Sequence, residues 1–363
     1  MTTFPADDHT GAPHMRSIVR PVPLAAVAAL LVAALPAAAQ HAHPAPSPTP
    51  APAAASGRFP EIAPGYYFVA DSAGNLVVGT GSEGTLIVGP QEPSGLARVR
   101  QLMDSLRAGP VRYVVATSGD SAVRWADGGW SARGATVFAH EGIRNRMRRP
   151  RGAVVVGAVP RFGYSNVVQL DFNGEDVHVV HHPGGYSNAD AIVHFETNKF
   201  LYLGTLFTSD GYPAIDVARE GTISGLIRSA SEFIENYESD PSWIEPIVPG
   251  RGPLATFADL RAYRDMLVAV RERVRTMVAA GRTADEAVAA RPTAEFDARW
   301  GRGPIKPDAF VRRVHWSVRQ EAAVAAAAAA ASAFPAAPAP APNPPAPGAA
   351  PNSPAPVHQH GKP

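Results

Sequence analysis

Val111-Arg-Tyr-Val-Val-Ala116 runs into Thr117-Ser-Gly-Asp-Ser-Ala-Val123, and a second apolar run returns at Ala135-Thr-Val-Phe-Ala139. The two apolar runs read as strands, because they are short, rich in β-branched and aromatic residues, and bounded by glycine and polar residues. Between them, Thr117 to Trp130 is a long connection of small and polar residues. Upstream, Leu96, Val99, Leu102, Met103 and Leu106 fall on one helical face, with Ser94 placed to cap the helix. Strand, helix, strand, long loop, strand is the order of an α/β domain. Loops at strand C-terminal ends carry the chemistry in such domains, so the connection after Thr117 is the first place to look for a site.

The same pattern extends in both directions. Tyr66-Tyr-Phe-Val-Ala70, Asn75-Leu-Val-Val78 and Thr85-Leu-Ile-Val88 read as short strands separated by glycine-rich turns. Gly79-Thr-Gly-Ser-Glu-Gly84 matches a dinucleotide-binding pattern letter by letter, but it lies between two strands instead of between a strand and a helix, so it reads as a hairpin turn. Strands follow at Val168–Phe172, Asp176–His182, Ala191–Phe195 and Lys199–Leu203, then a helix at Ile223–Tyr237. From Thr256 the chain is helical. Thr256 with Asp259, and Thr283 with Glu286, have the spacing of capping boxes, and Gly281 suits a helix C-terminus. Pro307 opens a last helix through Phe310, Val311, Val314 and Val318. The arginines at 144, 146, 148, 149 and 151 read as a solvated helix end and loop, since no aromatic residues interleave them.

Composition separates the core from the ends. Most of the 37 prolines lie in residues 1–60 and 321–363, both of low complexity. Arg16 and Arg20 precede an apolar stretch, Pro23 to Leu35, that is short for a bilayer span, and Ala37-Ala38-Ala39 follows as a small-residue cleavage signature. Residues 1–39 therefore read as an export signal, with Met15 as an alternative start, which implies a periplasmic or secreted protein with no membrane span after cleavage. Residues 40–57 read as a Pro/Ala-rich disordered linker and 323–363 as an Ala/Pro-rich disordered tail, whose first part, Ala323 to Ala331, is also able to prolong the last helix. The histidine pairs at His41/His43 and His358/His360 have no scaffold to make them a metal site. The chain has no cysteine, which excludes disulfides, thiolate metal sites and a thiol nucleophile. With 33 Lys+Arg against 32 Asp+Glu, no overall field argues for nucleic acid.

The order of segments from Phe59 to Gln320 resembles the metallo-β-lactamase fold superfamily. The hairpin Asn75–Val88 is similar to its opening hairpin, and Tyr113-Val-Val-Ala-Thr117 to the strand entering its metal loop. Gly134–His140, His182-Pro-Gly-Gly-Tyr-Ser-Asn-Ala-Asp190, Gly204-Thr-Leu-Phe207 with Tyr212–Asp216, and Pro249-Gly-Arg-Gly-Pro253 are similar to the later segments, in order. Phe296–Trp300 and Lys306–Val311 resemble a helical C-terminal extension of some secreted members. The resemblance implies an α/β, αββα four-layer sandwich over 58–255 with a helical extension over 256–322. It also implies a metal site at which this chain departs from the pattern. Ser118 and Asp120 stand where the first two histidines would be, Ala122 where an aspartate would be, and Val123 where the next histidine would be. Tyr186 replaces a histidine, Thr205 a bridging aspartate, Arg251 the last histidine, and Gly89 an aspartate.

The residues themselves point the same way. Alanine and valine offer no ligand, serine and threonine hydroxyls are weak ones, and a phenol near pKa 10 deprotonates at a cost. A permanent guanidinium at Arg251 repels a divalent cation. Asp120 alone does not hold zinc, and without metal there is no activated water. The expectation is a metal-free, degenerate member that needs no cofactor and is non-catalytic or ligand-binding. Asp120, His182, Tyr186, Asp190, Tyr212, Asp216 and Arg251 line its cleft, with Arg251 paired to Asp120 or favouring a small anionic ligand. The alternatives are an atypical ester, lactam, lactone or thioester hydrolase drawing on His182, Tyr186 or Asp120, with zinc only in that case, and a structural or partner-binding domain. His181 and His182 are adjacent on a strand and face opposite ways, so they do not chelate together.

Overall fold

The computed structural model describes residues 59–90, 93–118, 130–148, 159–243 and 245–332. The expected signal, the linker, the tail beyond 332, and Asp120, Ala122 and Val123 lie outside them. Seven strands form the first sheet in sequence order: β1 (Glu61–Ala63), β2 (Tyr66–Val69), β3 (Leu76–Gly81), β4 (Gly84–Val88), β5 (Val111–Ala116), β6 (Thr136–His140) and β7 (Phe162–Tyr164). β1 to β4 pair antiparallel, and β4 to β7 pair parallel. The glycine-rich turn at 79–84 closes the β3–β4 hairpin, with Gly81 opposite Gly84.

The second sheet has the order β12-β11-β10-β9-β8, built from β8 (Val167–Phe172), β9 (Glu175–His181), β10 (Ala191–Phe195), β11 (Phe200–Thr208) and β12 (Val248–Arg251). β11 runs five residues beyond the expected end at Leu203, through Thr205 to Thr208, because β12 adds to it in parallel and pairs as far as Thr208 opposite Arg251.

Three apolar layers make a four-layer αββα sandwich. Between the sheets, Phe68, Val77, Val115, Val179, Val193 and Phe200 are buried. Helices α1 (Pro93–Leu106) and α2 (Glu141–Arg148) bury Val99, Leu102 and Ile143 against the outer face of the first sheet. Helices α3 (Ile223–Tyr237), α4 (Phe257–Ala279) and α7 (Pro307–Ser332) bury Leu226, Phe233, Leu260, Leu267, Phe310 and Val314 on the outer face of the second. Each such fully buried side chain contributes about 1.5–3 kcal/mol. Two short helices, α5 (Ala284–Ala289) and α6 (Asp297–Trp300), join α4 to α7.

Both expected capping boxes are present, at Thr256/Asp259 and Thr283/Glu286. Ser94 differs from expectation. It lies inside α1, and its hydroxyl donates to Asp71 Oδ1 at 2.8 Å. The last helix continues past the expected end of the packed extension at 322. Its residues from Ala322 to Ala330 are exposed, because the apolar face ends at Val318.

Candidate functional site

The C-terminal ends of β5, β11 and β12 and the turn between β9 and β10 meet at one edge of the sandwich. Thr117 follows β5, and its carbonyl accepts from Ala191 N at 2.9 Å, joining the two sheets there. Here lies a cavity of about 280 Å³ whose lining includes Thr117, Ser118, Tyr186, Thr205, Tyr212 and Arg251.

The turn at 182–190 is locked before it meets the cavity. Asp190 is wholly buried and accepts from Ser187 N at 2.5 Å and Ser187 Oγ at 2.9 Å. Its carboxylate holds the turn together and does not line the cavity. Behind it, Thr222 N and Oγ1 both donate to Gly184 O at 3.0 Å, and Tyr186 O accepts from Asp216 N at 2.9 Å. A Cβ on Gly225 would stand 1.6 Å from Gly184 O, and one on Gly221 1.9 Å from Tyr186 O. These glycines let α3 and its approach press directly on the turn, and Tyr186 stays buried at the cavity wall.

Arg251 is placed by a buried polar chain. Asn75, 2% exposed, donates through Nδ2 to Pro249 O at 2.9 Å and Gly252 O at 2.8 Å, and its backbone N–H donates to Gly250 O at 2.8 Å. Tyr202 donates to Asn75 O at 3.0 Å and accepts from the Thr117 hydroxyl. Four segments distant in sequence are thus tied together beneath the loop that carries Arg251. The guanidinium donates from Nη1 to Ser72 O. The expected Asp120–Arg251 pair falls outside the described residues. Arg251 also borders a wider cleft of about 830 Å³, shared with Arg98, Arg302, Lys306, Asp71 and Asp210. Among the described residues, no carboxylate lies within the 4.0 Å ion-pair distance of any of these four cations.

Three expected cleft residues are engaged elsewhere. His182 lies away from the cavity, where Nε2 meets Glu232 Oε2 at 3.0 Å, Nδ1 meets Ser229 Oγ at 3.1 Å, and the ring packs on Phe233. Burial pushes its pKa down, against the raising effect of Glu232. The Ser229–His182–Glu232 row has the outline of a nucleophile triad. Ser229, however, is fully buried within α3 and donates to Gly225 O at 2.9 Å, so no substrate reaches it. Asp190 closes its own turn, as described, and Asp216 pairs with Arg219 at 2.7 Å. Tyr212 lines the cavity with its ring. Its hydroxyl donates to Asp297 Oδ1 at 2.8 Å and burial raises its pKa, so it anchors the C-terminal extension and does not act as an acid.

Among the described lining residues, none is a strong ligand for a divalent metal. Ser118 and Thr205 offer hydroxyls, Tyr186 a phenol, and Arg251 a cation. Among the described residues, no three His, Asp or Glu side chains come together as a metal group. Sequence reasoning missed Asn75, Tyr202, Arg98, Arg302 and Lys306 as parts of this region. The one signal that could have found Arg302 is that the tetrapeptide Gly-Arg-Gly-Pro occurs twice, at 250–253 and at 301–304.

No family model and no curated protein sequence matches the chain. Solved structures do. The chain is similar to the inverting sec-alkylsulfatase Pisa1 from Pseudomonas sp., with a TM-score of 0.53 and 15% identity over 71% of this chain and 49% of that one. It therefore spans about half the length of that enzyme. A metallo-β-lactamase from Pontibacter korlensis is also similar, with a TM-score of 0.46 and 15% identity over 58% of this chain and 98% of that one. Two facing mixed sheets, helices on both outer faces, and loops converging at one edge complete the comparison: the chain has the metallo-β-lactamase fold.

Proposed function

We propose that this protein is an exported, metal-free relative of the metallo-hydrolases, periplasmic or secreted, that binds a small anionic ligand in the old active-site cleft without hydrolysing it. The observation that carries the reading is Arg251. A guanidinium stands at the wall of the cavity where the loops converge, within a cleft holding three further cations and two carboxylates. A fixed positive charge there repels zinc and attracts an oxyanion. The Ser118 hydroxyl can donate to such a ligand, and neither it nor the buried Thr205 hydroxyl can replace imidazole or carboxylate at a metal. The sec-alkylsulfatase is an enzyme with a similar frame, and the proposal is that this chain keeps the frame for binding.

The test is metal content and turnover on the full chain. Untagged protein cleared of adventitious metal should carry far less than one zinc per chain and turn over no ester, lactam, lactone, thioester or sulfate ester. Small anions should raise its melting temperature by mass action on the folded state. Stoichiometric zinc with turnover would establish an atypical hydrolase instead. No metal, no turnover and no anion effect would leave a structural or partner-binding domain.

A further inference from the structure

Gly250-Arg251-Gly252-Pro253 recurs as Gly301-Arg302-Gly303-Pro304. The first tetrapeptide straddles the end of β12 and the second follows α6, yet Arg251, Gly252 and Pro253 line the same cleft as Arg302, Gly303 and Pro304. The segment 209–211 is locked between them. Ser209 N donates to Arg251 O at 3.1 Å and Ser209 Oγ to Pro253 O at 2.7 Å, while Tyr212 N donates to Trp300 O at 3.0 Å. A Cβ on Gly252 would stand 2.4 Å from Ser209 Oγ, and one on Gly303 would stand 3.0 Å from Gly211 Cα. Gly252 also has a φ of +92°. The flanking glycines are therefore what lets the two arginine loops close on one spacer, and each arginine stands on a backbone held by hydrogen bonds or close packing.

The cleft carries more cations than carboxylates, with Arg98, Arg251, Arg302 and Lys306 against Asp71 and Asp210. Arg98 Nε is buried with no hydrogen-bond partner, and neither Arg302 nor Lys306 makes an ion pair among the described residues. Of the two carboxylates, Asp71 is engaged by Ser94 Oγ and Ala73 N. Two guanidiniums on braced loops, backed by an ammonium, match one doubly charged oxyanion better than a lone carboxylate, because each planar fork can give two parallel hydrogen bonds to a phosphate.

We propose that the twin Gly-Arg-Gly-Pro loops form a clamp for the dianionic phosphate group of a phosphate ester, with Arg251 and Arg302 as its forks and Lys306 as a third cation. The inference rests on the proposed binding role of the cleft and names the class of ligand. The test titrates metal-stripped full-length protein with glycerol phosphate, inorganic phosphate, succinate and acetate, read by calorimetry. The two phosphates should bind, acetate should not, and succinate should bind more weakly than either. Arg302→Gln and Arg251→Gln should each weaken phosphate binding about tenfold or more, the loss expected for a charge-assisted hydrogen bond. Arg302→Lys should recover part of it, and Arg319→Gln, on the exposed face of α7, should change nothing. Arg302 is exposed, so its variants should keep the wild-type melting curve. Phosphate binding that survives Arg302→Gln but is abolished by Arg251→Gln would overturn the clamp and leave a single-arginine site. Succinate binding more tightly than phosphate would overturn the ligand class. No binding of any anion would overturn the proposed binding role itself.

Discussion

Asn75→Ala should destabilise the protein and weaken anion binding together, although Asn75 touches no ligand. The side-chain amide donates to two carbonyls, Pro249 O at 2.9 Å and Gly252 O at 2.8 Å, from a residue 2% exposed. Truncation orphans both acceptors, at about 1–3 kcal/mol for each buried group, less for Gly252 O, which is only partly buried. The sum is about 2–4 kcal/mol. Asn75→Asp separates hydrogen bonding from volume. It preserves the shape, but a carboxylate cannot donate and would face two carbonyl oxygens, so it should cost at least as much. Urea unfolding reads the effect as a lower midpoint with an unchanged slope. The backbone bond from Asn75 N to Gly250 O survives in both variants, so the loop should loosen without detaching, and phosphate affinity should fall while binding persists. An Asn75→Asp protein as stable as wild type, or a loss below about 0.5 kcal/mol for Asn75→Ala, would refute the claim that this amide positions the Arg251 loop.

Other parts of the frame give sharper or simpler expectations. Gly225→Ala places a methyl 1.6 Å from Gly184 O and should cost more than about 4 kcal/mol or prevent folding, read by circular dichroism and thermal melting. Gly89→Ala, at φ +119° with its Cβ 2.7 Å from Asn75 O, should cost about 2–4 kcal/mol by the same measurement. Burial pushes His194 down to about 4, with Glu196 opposing. The unfolded chain therefore takes the proton first, so the His194 contribution should be full above about pH 6.5 and be lost as the pH drops toward 4, by at most about 3 kcal/mol, and His140, also pushed down to about 4 chiefly by burial, adds to the fall. His194→Gln should make the fall of the urea midpoint across that window shallower without abolishing it. Prolonged chelation should leave the melting temperature unchanged, since ion removal destabilises only a protein that binds the ion when folded.

Much of the fold was legible because the relevant signals are local. β-branched runs between glycines gave β2 to β5, the stripe from Leu260 to Val274 gave α4, and two Thr-x-x-acid spacings gave two helix starts. What was not legible is pairing across the chain. The length of β11 depends on β12 arriving in parallel to bond as far as Thr208, and no residue near Thr205 announces that partner. Ser94 shows the same limit, since its hydroxyl is taken by Asp71 from a preceding loop. The site was half legible for the same reason. Tyr186, Tyr212 and Arg251 were placed by segment order and do line the cavity. His182 was chosen for its chemistry, but it lies one residue beyond β9 and turns toward α3, where Ser229 and Glu232 hold it.

The polar chain beneath the Arg251 loop also constrains which side chains the positions around it can take. In a metal site, ligands from separate loops tie those loops together through the ion. Here the loops are tied by Thr117, Tyr202 and Asn75, and that chain passes directly against Gly89. Any side chain at 89 would meet Asn75 O at 2.7 Å and Tyr202 Oη at 2.9 Å, on a backbone at φ +119°. An aspartate at this position and the Asn75–Tyr202 bond therefore exclude one another in this backbone. The same holds at Arg251, where a histidine would leave Ser72 O without its donor and remove a charge from a cleft already built around cations. Placing an aspartate at 89 or a histidine at 251 would thus damage the frame. The hydrogen-bonded frame and the cationic cleft have to be considered as one arrangement, because Asn75 holds the loop from which Arg251 supplies its charge.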